Sequence, residues 1–418
     1  DDGKVDASTR KKLIETHYAP LKEGVNEGFH KEIVKVEYGT PNYEFLKQLQ
    51  TNAACFAAFK AHAQINEMTA LVTNENGKVR SKAEFKQKAW ELDANYRGAH
   101  LDVEYDTCVR NARSAAQWQK AQSTKRLYPN IKYIASKSAH PRNAHQPFYG
   151  LIRPIDDPIW NSILPINAWG CKCSWMVTGE DVTDIPSNLP TPDPAFAFNP
   201  GKTGQVFDLG KSDYIKSVSP KDQPKLIKEA KQLIVQDEAV NAQPVSLYTS
   251  KNTGKEVTAH PMSIKNTDFD IALETSRDLS NQKILLSDIY ISPIVNNPDL
   301  RPLLLPNVKG KSNPDFIIEN KYMDLKVPVE AKASKDKIGN LFSDAHKQGD
   351  GIVLRIDKPD YISEQDLYRQ INGKMVREDY ANFIIYIKYK EKWKRWDQKT
   401  WKQFHDKFKE SMEKENPE

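Results

Sequence analysis

Apolar residues recur at helical spacing through much of the first half of the chain. Between Asn42 and Met68 an alanine-rich pattern sets Phe45, Leu49, Phe56 and Phe59 as core positions. Thr73–Gly77 reads as a turn, and Ser81 caps a further helix that carries Phe85, Ala89 and Trp90. Leu101–Gln122 is the clearest helix here, with Tyr105, Cys108, Val109, Ala112 and Ala116 on one face. Residues 1–40 are polar and of mixed charge, which predicts only short helices.

In the second half the period alternates between helix and strand. Asp268–Ser280 predicts a helix with Phe269, Ala272, Ser276 and Leu279 along one side, and Lys283–Ile291 a strand. Asp315–Ile318 and Tyr322–Val327 read as strands joined at Glu319-Asn320-Lys321, where asparagine suits the left-handed backbone of a hairpin turn. A helix follows at Lys335–Gln348, where Ile338, Leu341 and Ala345 form a stripe that Gln348 continues, then a strand at Gly351–Ile356. Ser363–Ile371 predicts a short helix and Asn382–Tyr389 an apolar strand. Between the halves, Ile185–Pro200 holds five prolines and reads as a semi-rigid connector. Lys221–Val240 regains a helical pattern, and Val245–His260 is short and polar.

The composition is polar, with 39% apolar and 28% charged residues over 418 positions, enough for two or three cores. No run approaches the roughly 18 apolar residues of a membrane span. The net charge of +5 is too small for this length to imply a nucleic-acid partner by itself. Its distribution is more informative. Lys388–Lys409 interleaves nine Lys or Arg with Trp393, Trp396, Trp401, Phe404 and Phe408, and the last three share a helical face that docks the last helix. The flanking lysines are available to phosphates. Four cysteines give no disulfide framework, so a reducing compartment is expected.

Two groups of residues carry candidate chemistry. The predicted hairpin sets Asp315 on one strand and Asp324 with Lys326 on the other, the latter two on one sheet face. Two carboxylates there supply hard oxygen ligands for Mg²⁺ or Mn²⁺, and a lysine acts on an attacking water or a phosphate. Glu274 or Asp270, one turn apart on the preceding helix, is a further candidate carboxylate. The second group is Cys171-x-Cys173 with His140 and His145 upstream. Thiolate and imidazole suit Zn²⁺, so His145, Cys171 and Cys173 are a candidate structural zinc site. The alternative is that both sulfurs pack against Trp169 or Trp175.

Both groups lie within family resemblances. Pro314-Asp315 followed by Asp324-Leu325-Lys326 is similar to the PD-(D/E)xK nuclease pattern. With Gln348 ending the next helix, the string resembles the C-terminal toxin nucleases of contact-dependent inhibition and other polymorphic-toxin systems. That resemblance implies a restriction-endonuclease-like αβββαβ core, a catalytic role for Asp315, Asp324, Lys326 and Gln348, DNA or tRNA as substrate, and an immunity protein as partner. The stretch from Arg142 and His145 through Gly150, Asp156-Asp157-Pro158, Trp160 and Pro165 to Trp169-Gly170-Cys171-x-Cys173 resembles Mu-F-like phage minor head (head morphogenesis) proteins. It implies a virion role beside portal and capsid proteins, with the toxin part acting in the host bacterial cytoplasm. Head proteins of this kind often end in metal-independent barnase–colicin–EndoU-like RNase domains, for which Lys326, Ser334 and Gln348 would stabilise the phosphate. A third reading makes the C-terminal part a non-catalytic binding module on a structural virion protein.

The expected architecture is multidomain: a polar segment at 1–40, a mainly α head-morphogenesis domain at 41–205, a linker with a spacer helix at 206–259, and an α/β nuclease-like domain at 260–418.

Overall fold

The structure, a computed structural model, describes residues 5–37, 40–298, 300–308 and 311–415, the side chains of 265 and 412–415 excepted. The chain divides after Val235 into two compact units.

The first unit is mainly helical. Its long helices are α1 (Ala7–His30), α2 (Pro41–Ala70), α3 (Lys82–Arg97) and α4 (Ala99–Thr124). A small antiparallel sheet follows, β1 (Asn130–Ile134), β2 (Ile152–Pro154) and β3 (Ser174–Thr178), in the order β2-β1-β3. Single-turn helices α5 (Pro200–Thr203) and α6 (Asp213–Lys216) lead to α7 (Gln223–Asn241), within which the unit boundary falls. Helix α2 buries Ala53, Ala54, Ala57, Ala58 and Ala61 completely, and these short side chains let neighbouring helices approach closely. Ser81 caps α3 as expected, and Glu84 bonds back to the Ser81 backbone to complete a capping box.

Residues 1–40 differ from expectation. Instead of short helices, the described residues hold the 24-residue α1, whose Ile14, Tyr18, Leu21, Val25 and Phe29 are buried against α2 and α4. The stripe is narrow and set among polar residues, so composition hides it. Gly28 marks the closest crossing, since a Cβ there would lie 2.0 Å from the Val109 carbonyl oxygen. Gly28→Ala is therefore expected to force α1 away from α4 at a cost of about 1–3 kcal/mol, read as a lower melting temperature by calorimetry.

The expected spacer at 206–259 is not a separate body. Val206, Phe207, Leu226, Ala230 and Leu233 complete the core of the first unit. The Asn52 side chain accepts from the Val206 and Phe207 amides at 2.9 Å each and donates to the Phe207 carbonyl, while Asn111 donates to the Val206 carbonyl at 2.8 Å. Two buried amides thus satisfy a backbone that would otherwise be costly to bury.

The second unit contains an eight-stranded mixed sheet. Its elements are β4 (Val245–Thr249), β5 (Glu256–Ala259), α8 (Phe269–Ser280), β6 (Ile289–Ile291), the single-turn α9 (Arg301–Leu304), β7 (Phe316–Ile318), β8 (Lys321–Lys326), α10 (Lys337–Gln348), β9 (Gly351–Arg355), α11 (Glu364–Met375), β10 (Ile384–Tyr389), β11 (Lys392–Trp396) and α12 (Gln398–Glu415). Strands follow one another in space from β4 to β11. The β8–β9 and β9–β10 pairs are parallel and are joined through α10 and α11. Helix α8 packs with Phe316, Ile318, Met323 and Val353 on one face. On the other, α10, α11 and α12 share a core with Ile352, Leu354, Ile385 and Ile387. Trp401 is buried there, and Phe404 and Phe408 each meet the Tyr368 ring edge-on at 5.0 Å.

The strand expected over Lys283–Ile291 shortens to Ile289–Ile291, because only those residues pair with β5 and β7. Among the described residues no helix is long and apolar enough to cross a membrane.

Candidate active site

The β7–β8 hairpin turns on two residues, Glu319 (φ 53°) and Asn320 (φ 59°). Two consecutive left-handed residues match the right-handed twist of the flanking strands. Glutamate is an unusual choice at such a position, and its carboxylate is held by Arg395 at 2.8 and 2.6 Å and by the Tyr386 hydroxyl at 2.5 Å. The turn fixes the register. Phe316 pairs with Met323, so Asp315, one residue before β7, stands directly across from Asp324. Facing residues of an antiparallel pair point to the same side of the sheet. That side carries α10, because Phe316, Met323 and Leu325 turn to the α8 side.

Three of the four expected catalytic residues therefore converge. The Lys326 ammonium lies 2.5 Å from Asp324 Oδ2, and the Leu325 amide donates to Asp315 Oδ2 at 2.6 Å. Asp324 is buried, with only 4% of its side chain exposed against 22% for Lys326, so solvent reaches the cluster from the lysine end. Burial pushes the Asp315 carboxyl up to about 7, the Leu325 amide opposes that, and the charge of Asp324 reinforces it. Asp324 is also raised, chiefly by burial and against the pull of Lys326.

Folding thus raises two carboxyl pKa values, and the folded state holds protons that the unfolded chain would release. The stabilisation is fully present below the ordinary carboxyl value of 3.8 and is lost as pH rises through about 7. In chelator, the melting temperature of the second unit is expected to fall as pH rises from about 4 to about 7. A drop of about 3 °C corresponds to roughly 1 kcal/mol for a domain of this size. Asp315→Asn should flatten that fall in differential scanning fluorimetry.

Gln348 ends α10 half-buried, and among the described residues no hydrogen bond joins it to the cluster. Asp344, one turn earlier on the same side of α10, is nearer electrostatically. Its charge adds to the rise at Asp324, and Lys326 in turn acts on it. Sequence reading passed over Asp344, although its spacing of three from Leu341 and four from Gln348 puts it on that side of the helix. Glu274 requires a correction, since it sits on α8, across the sheet from the cluster. It pairs with Arg355 at 3.0 Å, because α8 and α10 cover opposite faces. Asp270 is an exposed residue in the first turn of the same helix. Ser334 is exposed in the loop between β8 and α10.

The candidate zinc residues lie in the first unit. His145, in a 3₁₀ turn over Asn143–Phe148, and Cys171 and Cys173, before β3, are all buried. His145 Nδ1 lies 3.5 Å from Cys171 Sγ and 3.8 Å from Cys173 Sγ. His140 is exposed and outside this group.

Comparison with known proteins matches two segments of the chain. The family model of the contact-dependent growth inhibition CdiA C-terminal domain matches residues 311–393, a span that begins before Asp315 and ends in β11. Protein F of Escherichia phage Mu, named for capsid assembly, is 30% identical over 91 residues, 22% of this chain and 20% of that protein. The FluMu F protein of a Mu-like prophage in Haemophilus influenzae is 34% identical over 67 residues, 16% of this chain and 15% of its own. The matched stretches thus span a fifth or less of those relatives. No solved structure matches the chain. The protein joins a segment similar to the F proteins of Mu and Mu-like phages to a C-terminal segment matching the CdiA toxin domain.

Proposed function

We propose that the second unit is a metal-dependent endonuclease of toxin type, carried on a phage head-morphogenesis protein. The observation that carries this reading is the hairpin register, which faces Asp315 with Asp324 and adds Lys326 on the same side of the sheet. The surrounding order supports it. Helix α8, antiparallel β6-β7-β8, α10 and parallel β9 follow the αβββαβ sequence of a restriction-endonuclease-like core. The match to the CdiA C-terminal domain supports a toxin role, and similarity to the F proteins supports head or portal proteins as partners in the virion.

The residues fit a divalent cation. Two carboxylates face each other in a partly dry site, and the Lys326 ammonium balances only part of their charge. Asp315 and Asp324 would hold Mg²⁺ or Mn²⁺ through hard oxygen ligands, and such an ion polarises a phosphodiester and acidifies water. Lys326, at the solvent-facing side, donates to an incoming phosphate oxygen or orients the attacking water. The Leu325 amide fixes the Asp315 carboxylate. Asp344 adds negative charge that strengthens the cluster's pull on a cation, and Gln348 is placed to meet substrate further along α10. An immunity protein would act by covering the lysine end of the cluster.

The test is incubation of the full chain with duplex DNA and with total tRNA, in Mg²⁺, in Mn²⁺ and in EDTA. Cleavage of either substrate that EDTA abolishes is the expected result. RNA cleavage that persists in EDTA would instead select the metal-free RNase, with Lys326, Ser334 and Gln348 as its residues. Absence of cleavage under all conditions would leave a binding module.

A further inference from the structure

We propose that His145, Cys171 and Cys173 bind one Zn²⁺ through Nδ1 and two thiolates, and that the ion clamps the loop-rich half of the first unit. The three donors come from two segments 26 residues apart, and all of their ligating atoms lie within 4.8 Å of one another. Tetrahedral zinc, with bonds of about 2.3 Å to sulfur and about 2.0 Å to nitrogen, separates neighbouring sulfur and nitrogen ligands by about 3.6 Å. The observed separations of 3.5 and 3.8 Å bracket that value. An ion therefore fits between the donors with little rearrangement.

The Tyr149 side chain lies beside Cys173, and its hydroxyl is buried with no hydrogen-bond partner, so a metal-bound sulfur there would give it an acceptor. An outer donor of this kind is a usual companion of a metal-bound sulfur.

The stretch from Pro141 to Ser174 has little regular structure of its own, a 3₁₀ turn and three residues of β2 before another short turn. Its Phe148 and Trp160 pack from short turns against Tyr133 of β1 and Trp175 of β3, and a metal crosslink between the 3₁₀ turn and the start of β3 would fix their spacing. Cys173 also forms part of the wall of a cleft of about 400 Å³ that includes Arg110, Arg113 and Lys137.

Zinc is measured by plasma mass spectrometry on the full chain, loaded with Zn²⁺ under reducing conditions and then desalted. About one zinc per chain is expected, falling to near none in the Cys171→Ser/Cys173→Ser double variant. Asp315→Asn/Asp324→Asn should retain its zinc, which separates this site from the carboxylate cluster. Tyr149→Phe, a positioning change, should weaken zinc binding about tenfold. Should the double serine variant fail to fold, the wild-type chain loaded with Co²⁺ gives the same answer through a thiolate-to-cobalt charge-transfer band in the near ultraviolet. A folded wild-type chain without zinc, a Cys171–Cys173 disulfide found by mass spectrometry, or zinc undiminished in the double variant would each overturn the assignment.

Discussion

Asp324→Asn is expected to lower nucleic-acid cleavage at least about 10²-fold, the scale on which a single charge-stabilising group is lost from an active site. The side chain keeps its shape and loses its charge, so the cation loses one of its two facing carboxylates. Stability should move the other way. Asp324 is buried, and burial alone already disfavours its ionised form. Removing the charge relieves that cost and also the repulsion felt by Asp315. The melting temperature in EDTA should therefore hold or rise while activity disappears, a combination that simple misfolding does not give. Glu274→Gln is the matched control, because Glu274 is an exposed partner of Arg355 across the sheet. Its cleavage should stay near the wild-type rate. Cleavage by Asp324→Asn at the wild-type rate would defeat the nuclease assignment.

Glu104→Ala is expected to be the most destabilising single change in the first unit. Lys60 of α2 and Glu104 of α4 meet at 2.5 Å with 0% and 5% of their side chains exposed. The Tyr214 hydroxyl donates to the second Glu104 oxygen at 2.8 Å, and the Lys60 ammonium lies 5.8 and 5.9 Å from the Tyr96 and Tyr214 ring centres. Burial pushes the lysine down and the glutamate up, and each holds the other charged. Removing one partner leaves a buried ion unpaired at a cost of about 3–5 kcal/mol. For a unit of this size that lowers the melting temperature by about 10 °C. The double variant Lys60→Met/Glu104→Leu should recover most of the loss, since an apolar pair of similar volume carries no desolvation penalty. Calorimetry of the three proteins decides it; a double variant as unstable as Glu104→Ala would show that the pair stabilises beyond its own desolvation.

Periodicity determined much of the secondary structure. The α2, α4, α8 and α10 stripes, the hairpin turn at Asn320 and the helix cap at Ser81 were all legible, because each is set by residues within a few positions of one another. The facing of Asp315 and Asp324 was missed by one residue, because the turn read over Glu319–Lys321 is a two-residue turn and Lys321 already pairs with Ile318. Local pattern gave no access to which side of the sheet each helix would cover. Glu274 and Asp344 are both acidic residues on amphipathic helices, yet one faces away from the cluster and the other toward it. That choice is made by crossover connections between strands, over tens of residues. The narrow stripe of α1, the docking of Val206 and Phe207 on Asn52 (up to 155 positions away) and the burial of Lys60 beside Glu104 (44 positions away) likewise depend on partners outside their own elements. The chain alone thus determined which side chains could do chemistry and the short elements that carry them. Tertiary packing decided which of them meet, because burial, and with it the cost and strength of every charge, is a property of the assembled core.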